Sequence, residues 1–146
     1  MQTFATAAFA AVILFCAVVL WFHRIIVKKW SAVETRKAAL EACIREWMDD
    51  VLSLPVLNGD ILDLFEFYAD SEQHELFAAY PECKKILSGA DIIINDELTQ
   101  AESRVKEAET GLEDALSAYN REIGAYPYKF IAKIFIFAPE DFLYEK

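Results

Sequence analysis

Apolar and polar positions alternate in four successive patterns along this chain, and each pattern predicts helix. The first is an unbroken apolar run from Phe4 to Phe22 (FATAAFAAVILFCAVVLWF), with no charge, Pro or Gly, and its apolar character continues to Val27. About twenty residues rising 1.5 Å each span a hydrocarbon core of about 30 Å. In lipid, an isolated segment satisfies its own backbone hydrogen bonds only as a helix. Trp21 and His23 fall where amphipathic rings favour the headgroup layer, and Lys28 and Lys29 follow within snorkelling reach. A membrane-spanning anchor over Phe4 to Val27, contacting lipid, is the expectation. A cleaved leader fits less well. No basic residue precedes the run, the run exceeds the usual apolar stretch of about 7–15 residues, and HRIIVKKW after it offers no small-x-small site. VILF before Cys16 also lacks the small residues of a lipoprotein site.

In the second pattern Leu40, Ile44, Trp47, Val51 and Leu54 step by 4, 3, 4, 3, with Glu41, Arg45, Glu46, Asp49 and Asp50 on the other face. This spacing predicts an amphipathic helix continuing almost directly from the apolar run. Pro55 ends it, Asn58-Gly59 makes a turn, and Asp60 is suited to cap the next helix. The third pattern is denser. Ile61, Leu62, Leu64, Phe65, Phe67 and Tyr68 cover more than one helical stripe, which predicts burial on more than one side, under the C-terminal end of the chain. Ser71 is expected to restart a helix, Pro81 to open a further short one at its first turn, and Gly89 to follow its end.

The fourth pattern is the most regular. Ile94, Leu98, Ala101, Val105, Ala108, Leu112, Ala115, Tyr119 and Ile123 form a seam sustained over four heptads, which predicts one helix of more than thirty residues along a partner. Ala101, Ala108 and Ala115 make one edge of the seam narrow. Gly111 suggests a close contact, and Pro127 ends the helix. Phe130 to Phe137 (FIAKIFIF) reads as a short helix docking Phe130, Ile134 and Phe137 onto the rest, or lying against a membrane surface; a strand would have no partner strand. The fold class expected is therefore all-α, an N-terminal transmembrane helix followed by an antiparallel helical bundle, with an anchor and basic collar over 1–30 and a helical domain over 31–146.

Charge adds an orientation. Arg24, Lys28 and Lys29 form the collar, and from Trp30 onward eleven basic residues face all 24 acids. Positive charge on the C-terminal flank alone puts that flank in the cytoplasm and the N-terminus outside. A domain this acidic repels phosphate backbones, so no nucleic acid is expected as a partner. Three separated cysteines, Cys16, Cys43 and Cys83, make no disulfide framework and fit a reducing compartment.

The stretch from Glu97 to Phe142 (EL-x3-ESRV-x2-A-x9-AYNREI-x2-YP-x3-IAKIF-x-F-x-PEDF) resembles the C-terminal signature of the LemA family. Glu102, Arg104, Val105, Ala108, Tyr119, Asn120, Ile123, Pro127, Ile131, Ala132, Phe135, Phe137 and Pro139 fall on matching positions without a gap, and Tyr126 sits beside the matching Pro127. More loosely, FYADSE at Phe67 to Glu72 is similar to the family's G-Y-A-x-H-E motif. Gly111-Leu112 replaces the family's first Tyr-Asn pair, Lys129 stands where it has Asn, and Ile136 where it has Gly. The region between Glu72 and Glu97 is much shorter than in the family. The resemblance implies a membrane-anchored antiparallel helical bundle with shortened middle helices in a bacterial inner membrane, and no established enzymatic activity.

No catalytic, cofactor-binding or metal site is expected from the residues. His74 lacks a Glu-x-x-His partner, and zinc would need Cys43, Cys83 and His74 to converge from distant segments. No phosphate loop or nucleophile elbow occurs. Tyr119 and Asn120 read as packing residues bonded to the helix alongside rather than as a recognition surface. The function expected is a non-enzymatic membrane-tethered scaffold or adaptor with a protein partner. The alternative is a self-assembling membrane organiser whose Ala edge packs between copies as a homo-oligomer. An enzyme using His74 and nearby carboxylates has the least support.

Overall fold

The apolar run and the first amphipathic stretch form a single continuous helix, α1 (Gln2–Leu52), in the computed structural model, which describes residues 2–55, 59–89 and 96–140, with side chains from Thr6 onward. It is followed by α2 (Gly59–Ala69), α3 (Gln73–Gly89), α4 (Asp96–Gly124) and α5 (Tyr128–Ile134), and no strand occurs among the described residues. The protein is thus all-helical. Asn58, Ile94 and Phe142, named above in the turn, the seam and the signature, lie outside the described residues.

Residues 6–18 of α1 are exposed throughout, so this stretch is not a core helix of the chain, and it is long and apolar enough to cross a membrane. The chain divides into two compact units. One joins Met1–Val33 to Ala115–Glu140, and the other is built from Glu34–Asp114. Hence the unit that contains the apolar run also takes in a stretch more than eighty residues further along the chain, a partnership that local periodicity does not encode.

In the Glu34–Asp114 unit, α1 contributes the stripe Leu40, Ile44, Trp47, Met48 and Val51, all fully buried. Trp47 meets Phe65 of α2 at 5.9 Å and Tyr80 of α3 edge-on at 5.1 Å between ring centroids. Leu98, Ala101, Val105 and Leu112 of α4 complete the core, while Ala108 is half-buried. Arg104 pairs with Glu46 at 2.8 Å, and Arg36 lies over Gly111, where a Cβ would meet its guanidinium at 3.3 Å. These two contacts run in opposite senses along α1 and α4, so the helices are antiparallel within this unit. The close contact at Gly111 is with a flexible side chain.

Two expectations fail in the middle of the chain. Pro81 does not open a helix; α3 runs through it from Gln73 to Gly89. An interior proline costs about 3 kcal/mol, and buried residues on both sides of it (Leu76, Phe77, Ala79, Tyr80, Cys83 and Leu87) offset that cost. The dense patch on α2 is not buried on several sides. Only Phe65 is, and Phe67 is 66% exposed. Residues 65 and 67 lie about 200° apart around a helix, so packing on one face cannot bury both; the C-terminal end expected to cover the patch lies outside the described residues. Asp60 sits in the first turn of α2 rather than before it, where its charge still favours the helix N-terminus.

In the other unit, Leu116, Tyr119 and Ile123 continue the α4 stripe as buried residues, with Ala115 half-buried. α4 ends at Gly124, three residues before Pro127. Of the three residues expected to dock this segment only Phe137 does, half-buried with its ring 5.7 Å from His23, and the short helix α5 itself docks by a different face. Ile131 and Ala132 are buried, whereas Phe130 and Ile134 are 59% and 52% exposed. The docked face is Tyr128, Ile131, Ala132 and Phe135, spaced i, i+3, i+4, i+7. It is held where Tyr128 meets Phe22 at 4.9 Å and Phe135 meets His23 at 4.3 Å.

Candidate functional site

The family-like residues of the C-terminal half gather around a reversal of the chain after α5. Phe137 N–H donates to the Ala132 carbonyl at 2.9 Å, the long bond of a Schellman ending, and Ile136 between them has φ of 60°. That left-handed position is usually glycine, because a side chain there costs about 1–2 kcal/mol. Ile136→Gly is accordingly expected to raise stability by about 1 kcal/mol, after the greater unfolded freedom of glycine is subtracted. Denaturant unfolding of the detergent-solubilised chain checks it; an unchanged or lowered midpoint would mean the reversal is not strained.

Beyond the reversal the tail is clasped by α4. Tyr119 donates its hydroxyl to the Ala138 carbonyl at 3.1 Å. Asn120 donates through Nδ2 to the Glu140 carbonyl at 2.7 Å and accepts from the Glu140 N–H at 3.0 Å, so one amide satisfies both backbone groups of a residue outside any helix. The tyrosine and asparagine therefore bond to the tail, not to the helix alongside. Burial, and after it the Glu140 carboxylate, raise the Tyr119 pKa and keep its hydroxyl protonated as a donor. Trp30 packs on Tyr119 at 5.2 Å, and together with residues 136–140 they line a cavity of about 310 Å³. Removing the amide in Asn120→Ala leaves two backbone groups without their partner, a loss of about 1–3 kcal/mol. It is expected to appear as faster amide exchange at Glu140, with the helices of the Glu34–Asp114 unit unaffected.

The remaining family-like positions are spread out. Phe137 is half-buried, 5.7 Å from the His23 ring, while Tyr126 is 90% exposed and Pro139 is exposed. Pro127 precedes α5 at its N-cap. Glu102 and Arg104 belong to the Glu34–Asp114 unit, where they pair with Lys84 at 3.9 Å and Glu46 at 2.8 Å.

Arg45, read from the sequence only as part of a polar face, proves to join α1 to the end of α2 and to the turn that follows it. Its guanidinium donates to the Ala69 carbonyl at the end of α2 and to the Ser71 carbonyl at 2.9 Å, and it pairs with Glu41 at 2.9 Å. Glu41 also accepts from Gln73 Nε2 at 2.7 Å. A cation here satisfies helix-end carbonyls and complements the helix dipole. The Glu41/Arg45 spacing of four was visible in the sequence as a helix pair; its carbonyl partners were not.

His74 is on the surface, with Nδ1 3.6 Å from Glu72. Among the described residues no group of three His, Cys, Asp or Glu is placed to hold a metal ion. An open groove of about 650 Å³ runs between Tyr80, Lys84, Glu102, Ser103 and Lys106. Burial raises the Tyr80 pKa, with Glu109 and Glu102 adding to the effect. Burial, with Glu82, pushes the Cys83 thiol from 9.0 up to about 11. Since the thiolate is the nucleophile, native Cys83 is expected to alkylate about 100-fold more slowly at neutral pH than in the denatured chain. The folded pKa is the higher one, so stability from this group is complete below about pH 9 and is lost as pH rises to about 11. Mass-spectrometric alkylation rates across that range check both statements.

No family model matches this chain, and no curated protein or solved structure is significantly similar to it.

Proposed function

We propose that the protein is a membrane-anchored, non-enzymatic scaffold or adaptor of the LemA type, tethered to the inner membrane with its N-terminus outside and its acidic domain in the cytoplasm. The observation that carries this reading is the separation of charge and apolar surface between the two units. The unit joining Met1–Val33 to Ala115–Glu140 has six basic residues and two acids, in a chain of net charge −10, and it contains the exposed apolar run. The acidic remainder buries its apolar stripes and exposes carboxylates suited to protein contact.

An anchor is favoured over a cleaved leader because the end of the run belongs to the fold: Phe22 and His23 seat α5, and cleavage there would remove its partners. The orientation follows from the collar of Arg24, Lys28 and Lys29. Two observations favour the LemA resemblance. Position 136, where that family has Gly, adopts the φ of 60° that glycine suits, and the matching Tyr119 and Asn120 act together on the tail. Affinity capture of the full chain from mild detergent tests the function. A partner recovered in stoichiometric amount is the expected result, and recovery of the chain alone as a monomer counts against it. Crosslinking of Ala108→Cys in membranes separates the adaptor from the self-assembling organiser, since only the organiser yields a dimer there.

A further inference from the structure

In the unit containing the apolar run, docking of the Tyr128, Ile131, Ala132 and Phe135 face turns a second apolar face outward. Phe130 and Ile134 lie on it, one turn apart, and Ile136 follows at 90% exposure. Ile136 is a β-branched residue in left-handed backbone, an arrangement that costs free energy and that its outward side chain does little to offset within the chain. The position of this face along α1 is set by the ring contacts to Phe22 and His23, where the apolar run gives way to Arg24, Lys28 and Lys29. From Gly124 to Pro139 there is no Asp or Glu, and Lys129 and Lys133 stand immediately before Phe130 and Ile134.

We infer that this segment is a second membrane contact, in which Phe130, Ile134 and Ile136 enter the headgroup–acyl boundary of the bilayer that α1 spans and Lys129 and Lys133 engage anionic headgroups. Three features select the bilayer as occupant. The face continues the apolar surface of α1 at the end of its run. It presents aromatic and aliphatic side chains beside lysines, the composition by which interfacial helices bind anionic membranes through apolar burial and charge attraction together. A second copy docking through the same face would set its lysines against these lysines, which like-charge repulsion disfavours. The tether so made would fix α5 to the membrane as well as to α1, and the clasped tail with it.

The inference rests on the anchor reading, and one experiment separates the two. The full chain carrying Cys16→Ala, Cys43→Ala and Cys83→Ala, its helicity checked by circular dichroism, is labelled with bimane at Phe130→Cys, Ile134→Cys or Ile136→Cys, and at Val12→Cys and Ser117→Cys as references. Each variant is reconstituted into phosphatidylcholine–phosphatidylglycerol bilayers whose acyl chains are brominated near the headgroup or near the midplane. Loss of most of the fluorescence at 130, 134 and 136 with the shallow bromines, and little loss at 117, is the expected result. Lys129→Glu with Lys133→Glu is expected to weaken that shallow quenching and to remove its dependence on phosphatidylglycerol. Quenching at Val12 with none at 130, 134 and 136 overturns this inference and leaves the anchor standing. No quenching at any site, Val12 included, overturns both. Unquenched but blue-shifted emission at 130 and 134 means another protein surface covers the face, and likewise overturns it.

Discussion

Trp47→Ala is expected to lower the unfolding free energy of the Glu34–Asp114 unit by about 3–5 kcal/mol, a large share of the 5–15 kcal/mol typical of a whole domain. Trp47 is fully buried, and its ring contacts join α1 to both α2 and α3. Truncation leaves a cavity bounded by Phe65 and Tyr80, and three helices must collapse around it or leave it empty. One feature moderates the loss. The buried indole N–H meets no acceptor among the described residues, a group whose burial unpaired costs about 1–3 kcal/mol. Removing it returns part of the lost stability, so the effect should fall toward the lower end of the range, and Trp47→Phe should cost much less than the size of the lost ring suggests. Urea unfolding followed by circular dichroism measures both variants. A Trp47→Ala loss under about 1 kcal/mol would mean that this junction is not the centre of the unit's core.

The second large effect concerns the apolar run. Val12 and Phe15 are 59% and 63% exposed near the middle of the segment. An arginine at the centre of a membrane helix costs about 2.5–3.5 kcal/mol, so Val12→Arg with Phe15→Arg is expected to cost about 5–7 kcal/mol of insertion free energy. The wild-type chain should stay with membranes after alkaline carbonate extraction, and the double variant should be released or degraded. Retention of the double variant in the extracted membranes would contradict the anchor. Because both side chains face outward, the variant should keep the core of the Glu34–Asp114 unit, and the cooperative unfolding of that unit provides the control.

Much of the helical architecture was legible because helices declare themselves through local periodicity. Leu40, Ile44, Trp47 and Val51 are buried where a 3.6-residue period puts them, and Leu98, Ala101, Val105, Leu112, Tyr119 and Ile123 are as well. The stripe on α1 extends further than its apolar letters suggested, to Val33 and to Lys37, a charged residue that is almost fully buried and 3.6 Å from Glu34. Where a segment is apolar all round, the pattern offers no phase. The patch on α2 and the FIAKIFIF stretch were both misjudged for that reason, the first in how much of it is buried and the second in which face docks. Pro81 misled in the opposite way: a local rule for breaking helices was outweighed by burial along the whole of α3.

The candidate site was legible as residues but not as geometry. Tyr119 and Asn120 stood out for their pairing, yet their bonds go to Ala138 and Glu140, which no helical spacing connects to them. Arg45 had a visible partner four residues earlier and invisible ones in the turn between α2 and α3.

What the sequence determined by itself is what depends on neighbours along the chain: an apolar run with a basic edge, amphipathic stripes of helical period, and an acidic remainder. Tertiary structure alone decided that Ala115–Glu140 joins the unit of the apolar run, which of the two apolar faces of α5 docks on Phe22 and His23, and that an isoleucine occupies a glycine-like reversal with its side chain outward. The physical reason is that periodicity specifies a face, whereas the choice of what covers that face is a competition among distant surfaces, settled by ring contacts and backbone hydrogen bonds that form only once the chain has turned back on itself.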